Sequence, residues 1–222
     1  MINLIFDYDG TLHDCIKIYA PAFREAYRFL TDRGYAGERE WRDGEITKWL
    51  GVSSKDMWDS FMPGLQEDVK RRASGIIGGL MERYVREGRA RLYPGSTEVL
   101  ASLKKKGYRL IFLSNCETGY MDAHIKAFGL EGYFSDFFCA ESCGYRPKRE
   151  IFSFIKEKYS GEFIMIGDRH HDMEVASAHG LLSVGCAYGY GAKEELQSAD
   201  LIAESVREIP ELVETLSNKR NY

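Results

Sequence analysis

The 222-residue chain is 44% apolar and 29% charged, which supplies an ordinary core and excludes an intrinsically disordered chain. Its 30 basic and 34 acidic residues leave a formal charge of -4, so there is no cationic excess to hold a polyphosphate backbone, and nucleic acid is not an expected partner. At roughly 150 residues per domain the length exceeds one compact unit and falls short of two, which predicts one core carrying a large insertion.

The opening residues are apolar but reach acidic Asp7 too early for a secretory segment, and no apolar run approaches the roughly 18 residues of a membrane span. Five scattered cysteines, an odd number, do not form a disulfide framework. A soluble, reduced, cytoplasmic protein is expected, a monomer or homodimer with no membrane partner. Cys139 and Cys143 have CxxxC spacing without a second ligand pair, which reads as buried thiols rather than a metal site.

Run 2–6 is the first of five short apolar runs; 110–113, 163–166, 182–187 and 201–203 follow, separated by amphipathic stretches. Their near-continuous hydrophobicity suits parallel strands covered on both faces, so the fold class is α/β, a three-layer Rossmann-like core whose ligands gather at the carboxyl ends of the strands. Residues 13–92 contain no β-branched run. They carry helical periodicity instead, through Ile16, Tyr19, Phe23, Tyr27 and Leu30, then Trp49, Met57, Trp58 and Phe61, then Ile76, Leu80 and Tyr84. Glycines 34, 37 and 44 mark one break and Pro63-Gly64 another, while Pro21 is expected to bend the first helix or sit in its first turn. The expected division is a core of 1–12 and 93–222 with an all-helical insert of 13–92. After the insert, Pro94-Gly95-Ser96 opens a helix through Val99, Leu100 and Leu103 that closes on three lysines and Gly107.

At the end of the first run stands Asp7-Tyr8-Asp9-Gly10-Thr11, two carboxylates entering a glycine turn at the ligand edge of the sheet. Gly167-Asp168-Arg169-His170-His171-Asp172 puts acids at the end of a second strand. Converging carboxylates repel, and a hard, oxygen-liganded cation resolves the repulsion; magnesium is the natural occupant. Ser114-Asn115, ending another run, offers an anion-binding corner, although taken in isolation a Ser/Asn turn is the favoured reading. Tyr145-Arg146-Pro147-Lys148-Arg149 supplies positive charge before a helix, or a solvated basic loop.

In their order along the chain these pieces, with Tyr93-Pro94-Gly95 and Tyr188-Gly189-Tyr190-Gly191, resemble the haloacid dehalogenase superfamily of phosphohydrolases, and most closely its phosphoglycolate-phosphatase-like branch with a helical cap. The resemblance implies that Asp7 is the nucleophile and Asp9 the general acid and base. It assigns magnesium to Asp7, the Asp9 backbone carbonyl, Asp168 and the outer carboxylate Asp172, and phosphate to Ser114 and the Asn115 backbone. In the third motif, Pro147 and Phe152 set a register that places Arg146 where the superfamily carries lysine, with Lys148 as the rival. The activity implied is magnesium-dependent hydrolysis of a small phosphorylated metabolite, such as a hydroxy-acid or sugar phosphate, through an aspartyl phosphate. A phosphosugar mutase and a catalytically silent phosphate-binding regulator are the alternatives.

Other residues read more plainly. His170 and His171, on the first turn of a helix, are expected to point apart rather than to hold a metal; Cys116 is expected as a buried thiol, and His13 is a candidate to touch substrate. The insert suits a lid. Arg42, Lys48, Trp49 and Lys55 are its candidates to face the cleft, with Trp49 and Trp58 assigned to its core, and its 15 basic and 13 acidic residues name no leaving group.

Overall fold

The computed structural model describes residues 1–219. Strand β1 (Ile2–Phe6) is followed by four helices, α1 (Ile16–Asp32), α2 (Asp43–Ile46), α3 (Ser54–Phe61) and α4 (Glu67–Arg86). Then come α5 (Ser96–Lys105), β2 (Arg109–Ser114), α6 (Thr118–Phe128), β3 (Asp136–Cys139), α7 (Lys148–Lys158), β4 (Glu162–Gly167), α8 (His170–His179), β5 (Leu182–Cys186), β6 (Leu201–Ala203) and α9 (Ile209–Lys219). The six strands form one parallel sheet in the order β3-β2-β1-β4-β5-β6. The α/β class expected from the apolar runs is the class observed.

Alternation along β1 divides the core. Leu4 and Phe6 pack with Leu100 and Leu103 of α5 and with Val213 and Leu216 of α9. Ile5 faces the other way, onto Ile151, Phe152 and Ile155 of α7 and Val175 of α8. Each such side chain taken fully from water contributes about 1.5–3 kcal/mol, which is why these runs lack a polar alternate. The sequence runs missed β3, whose four residues, Asp-Phe-Phe-Cys, pair with β2 at the sheet edge and are only partly buried except for Cys139. Register decides the site: Phe6 lies opposite Phe112 on one side and Ile166 on the other. Asp7, Ser114 and Asp168 therefore sit at one edge.

The four helices after β1 bury a separate aromatic cluster. Phe23 lies 5.0 Å from Trp49 and 5.5 Å from Trp41, and Trp49 lies 4.6 Å from Phe61. Pro21 stands inside α1, beyond its first turn. Its ring removes the N-H that Lys17 O would have received, and α1 continues because Ala20, Ala22 and Phe23 on either side are anchored by burial. The two connections between sheet and helices run side by side: Asp14 N donates to Arg91 O at 2.9 Å and Tyr93 N to Leu12 O at 2.9 Å.

Candidate active site

Asp7 leaves β1 at 3% exposure, its backbone N-H donating to Ile166 O at 2.9 Å. Asp168, directly after β4, and Asp172, on the first turn of α8, are fully buried. One oxygen from each of the three carboxylates lies within 4.8 Å of the others. Lys148, the first residue of α7, reaches between two of them, its Nζ donating to Asp7 Oδ1 at 2.5 Å and to Asp172 Oδ1 at 2.7 Å. Asp172 Oδ2 accepts from Arg169 N at 3.0 Å, and Asp168 Oδ2 from Tyr190 N at 2.7 Å. Backbone closes over Asp168. A Cβ on Gly10, whose φ of 90° is left-handed, would fall 2.2 Å from Asp168 Oδ2, and one on Gly189 would fall 2.4 Å from Asp168 Cβ.

Three carboxylates against one ammonium leave two negative charges in a buried pocket. Burial first, and then Asp172, push Asp7 up to about 7 against the pull of Lys148. Burial, Asp7 and Asp172 likewise hold Asp168 well above the carboxylate range. Burial draws Lys148 down, but the attraction of Asp172 and Asp7 outweighs it and its ammonium is held above the ordinary lysine value. An oxygen-only set with two surplus charges fits a divalent hard cation such as magnesium.

Asp9 sits across from this cluster. Its Oδ1 accepts from Tyr120 OH at 2.8 Å and lies 2.7 Å from His13 Nδ1. Burial raises the Asp9 carboxyl, but the His13 hydrogen bond and attraction prevail and it lies below its ordinary value. His124, one turn after Tyr120 on α6, lies 2.7 Å through Nδ1 from Tyr8 OH, and burial drops its pKa to about 3. Neither Tyr120 nor His124 was singled out in the sequence. The i, i+4 spacing of two polar rings on one helix face was the available signal, and it is shared by many solvated helices. His13 is fully buried and its ring is engaged with Asp9.

Ser114 and Asn115 line the same cavity as Asp7 and Asp9, and Asn115 Nδ2 donates to Gly51 O of the insert at 3.3 Å. The basic loop differs from the sequence register. Pro147 caps α7, so Lys148 begins the helix and points into the sheet edge. Arg146, two residues earlier, is exposed with its guanidinium 5.5 Å from the Phe154 ring, outside the carboxylate cluster. His170 and His171 do not point apart: their ring centroids lie 3.8 Å from each other. His170 Nδ1 is taken by Glu195 Oε2 at 2.7 Å, and neither ring joins Asp7, Asp168 and Asp172. Cys116 is half-buried at the cavity, while Cys139 is fully buried and Cys143 half-buried. Arg42, Lys48 and Lys55 are exposed and do not line the cavity; Trp49 does, while also packing in the helical core with Trp58.

Known proteins carry the same plan. The profile of the haloacid dehalogenase-like hydrolases matches residues 3–180. The phosphoglycolate phosphatase of Synechococcus elongatus is 27% identical over 209 residues, covering 90% of each chain. That of Escherichia coli is 24% identical over 93% of this chain and 90% of its own. In fold, the crystal structure of a predicted phosphoglycolate phosphatase from Haemophilus somnus superposes with a TM-score of 0.79 at 24% identity, over 95% of this chain and 97% of that one. CbbY from Rhodobacter sphaeroides, in complex with phosphate, superposes with a TM-score of 0.76 at 20% identity, over 93% and 95%. The chain belongs to the haloacid dehalogenase-like hydrolases, in the branch that is similar to phosphoglycolate phosphatases.

Proposed function

We propose that this hydrolase removes the phosphoryl group from a small phosphorylated metabolite, with magnesium, through an aspartyl phosphate on Asp7. The observation that carries the reading is Asp7 itself, a buried carboxylate 2.5 Å from Lys148 that opens into a cavity with Asp9, Ser114 and Asn115. Magnesium would be held by Asp7, Asp168 and the Asp9 backbone carbonyl, with Asp172 behind them. When bound, it offsets the charge of the phosphoryl oxygens and of the carboxylates around them.

Asp7 Oδ attacks phosphorus, the bond from phosphorus to the ester oxygen breaks, and Asp9 gives its proton to the departing alkoxide. Water then attacks phosphorus while Asp9 takes its proton, and the bond to Asp7 breaks to return a free carboxylate and inorganic phosphate. The resting pKa of Asp9 favours the base step; a phosphoryl dianion entering beside it raises that pKa and readies the acid step. Lys148 holds Asp7 in line, and the Ser114 hydroxyl and Asn115 N-H receive phosphoryl oxygens. The insert residues over the cavity, Trp49, Leu50 and Met57 among them, limit access of water to the acyl phosphate.

Phosphate release from p-nitrophenyl phosphate, with magnesium and with excess EDTA, tests this directly. Turnover that EDTA abolishes and magnesium restores is expected. Turnover indifferent to EDTA contradicts the magnesium assignment, and none at all favours a silent binding protein.

A further inference from the structure

The cavity over Asp7 and Asp9 encloses about 150 Å³ between the sheet edge and the helical insert. Its walls include Tyr19, Trp49, Leu50, Met57, Ile77 and Met81, and the first five are no more than 8% exposed. Among the described residues that line it, none is lysine, arginine or histidine. Apart from Asp7 and Asp9, the charged side chain on the wall is Glu117, another acid.

Cations near the cavity are committed elsewhere. Lys148 is held by Asp7 and Asp172 beneath the floor. Arg169, which approaches Gly51, gives its Nε to Glu195 Oε2 at 2.9 Å and its Nη1 to Leu50 O. Lys55 and Lys70 of the insert bind Asp59, at 2.7 and 2.8 Å, and Lys48 lies over the Trp49 ring from the solvent side. The wall hydroxyls Ser54 and Ser74 bond to each other at 2.8 Å, and Ser74 also accepts from Trp58 Nε1. Tyr19, 8% exposed, is the phenol that the insert adds to the wall.

A leaving group with its own carboxylate would be stripped of water here without a compensating cation, beside Asp9 and Glu117; like charges so placed cost several kcal/mol. An uncharged alcohol meets no such cost, and its carbon atoms are taken from water against Trp49, Met57 and Ile77. We infer that the leaving alcohol of the substrate is uncharged and largely apolar, its one polar contact supplied by Tyr19, and that a phosphorylated hydroxy acid is therefore not the preferred substrate. This rests on the phosphatase reading above and departs from the substrate that the similar proteins' names carry.

The test compares kcat/KM of the unmodified protein, at one magnesium concentration, for n-propyl phosphate, 2-hydroxyethyl phosphate and phosphoglycolate, with p-nitrophenyl phosphate as a reference. Both neutral alkyl esters are expected to exceed phosphoglycolate by about 10²-fold, the scale of one unpaired charge in a desolvated pocket. Phosphoglycolate turned over as fast as the neutral esters, or faster, overturns the inference and leaves the phosphatase reading standing. No turnover of any of the four esters overturns both.

Discussion

Asp7, Asp168 and Asp172 are crowded into one buried corner, so in cation-free protein a proton substitutes for the missing positive charge. Asp7 is held at about 7 against an ordinary 3.8. Between those values the folded state keeps a proton that the unfolded chain has released, so stability from this group falls as pH rises through the window and stays low above it. Asp168 is shifted in the same direction. Under the proposed magnesium site, the cation would displace the proton and regain that stability, so the rise in Tm on adding it should be largest above about pH 7 and shrink toward pH 5. Thermal unfolding with and without magnesium across that range checks this; a rise as large at pH 5 as at pH 8 would count against the carboxylate site. These acids were legible because two short motifs each end an apolar run. The ring network around Asp9 was not, since Tyr120 is 111 positions away from Asp9 and only the fold brings it to 2.8 Å.

Where a helix starts decides which basic residue serves the site. Pro147 caps α7, and Lys148 as its first residue is aimed at the sheet, whereas Arg146 in the preceding turn is aimed at solvent. Replacing Lys148 with methionine, which keeps the stem and removes the charge, should lower kcat by about 10² to 10³, the scale of one preorganised donor at a transition state. Arg146→Ala should leave kcat within about twofold, as surface substitutions do. The reverse ranking, read by steady-state kinetics on both variants, would return the phosphate contact to Arg146. Sequence register pointed to Arg146 because Pro147 fixes a position in a motif but not the direction of the next side chain. Strand β3 escaped notice for a related reason: an edge strand buried on part of its surface needs no long apolar run, and Asp136 at its start breaks the one it has. Runs 2–6, 110–113, 163–166 and 182–187 mark the internal strands, where burial on both faces leaves no room for polar alternation; run 201–203 is the other edge strand, β6, legible from its apolar composition although Ile202 is 40% exposed.

At the scale of the molecule, the helical insert and the sheet edge share one cavity: the sheet contributes carboxylates and Ser114, the insert contributes apolar wall. The charge count of residues 13–92, 15 basic to 13 acidic, could not reveal that none of these cations lines the cavity, because balance in composition says nothing of placement. Among the described residues no helix is long and apolar enough to cross a membrane. The central claim is that Asp7 carries the phosphoryl group, and the measurement that tests it most directly is peptide mapping by mass spectrometry after an acid quench. The Asp9→Asn variant, in which loss of the base slows attack by water, is mixed with magnesium and a phosphate ester and quenched during turnover. A phosphoryl group on Asp7 is the result predicted; turnover with the label on another residue, or with none on Asp7, would contradict the account.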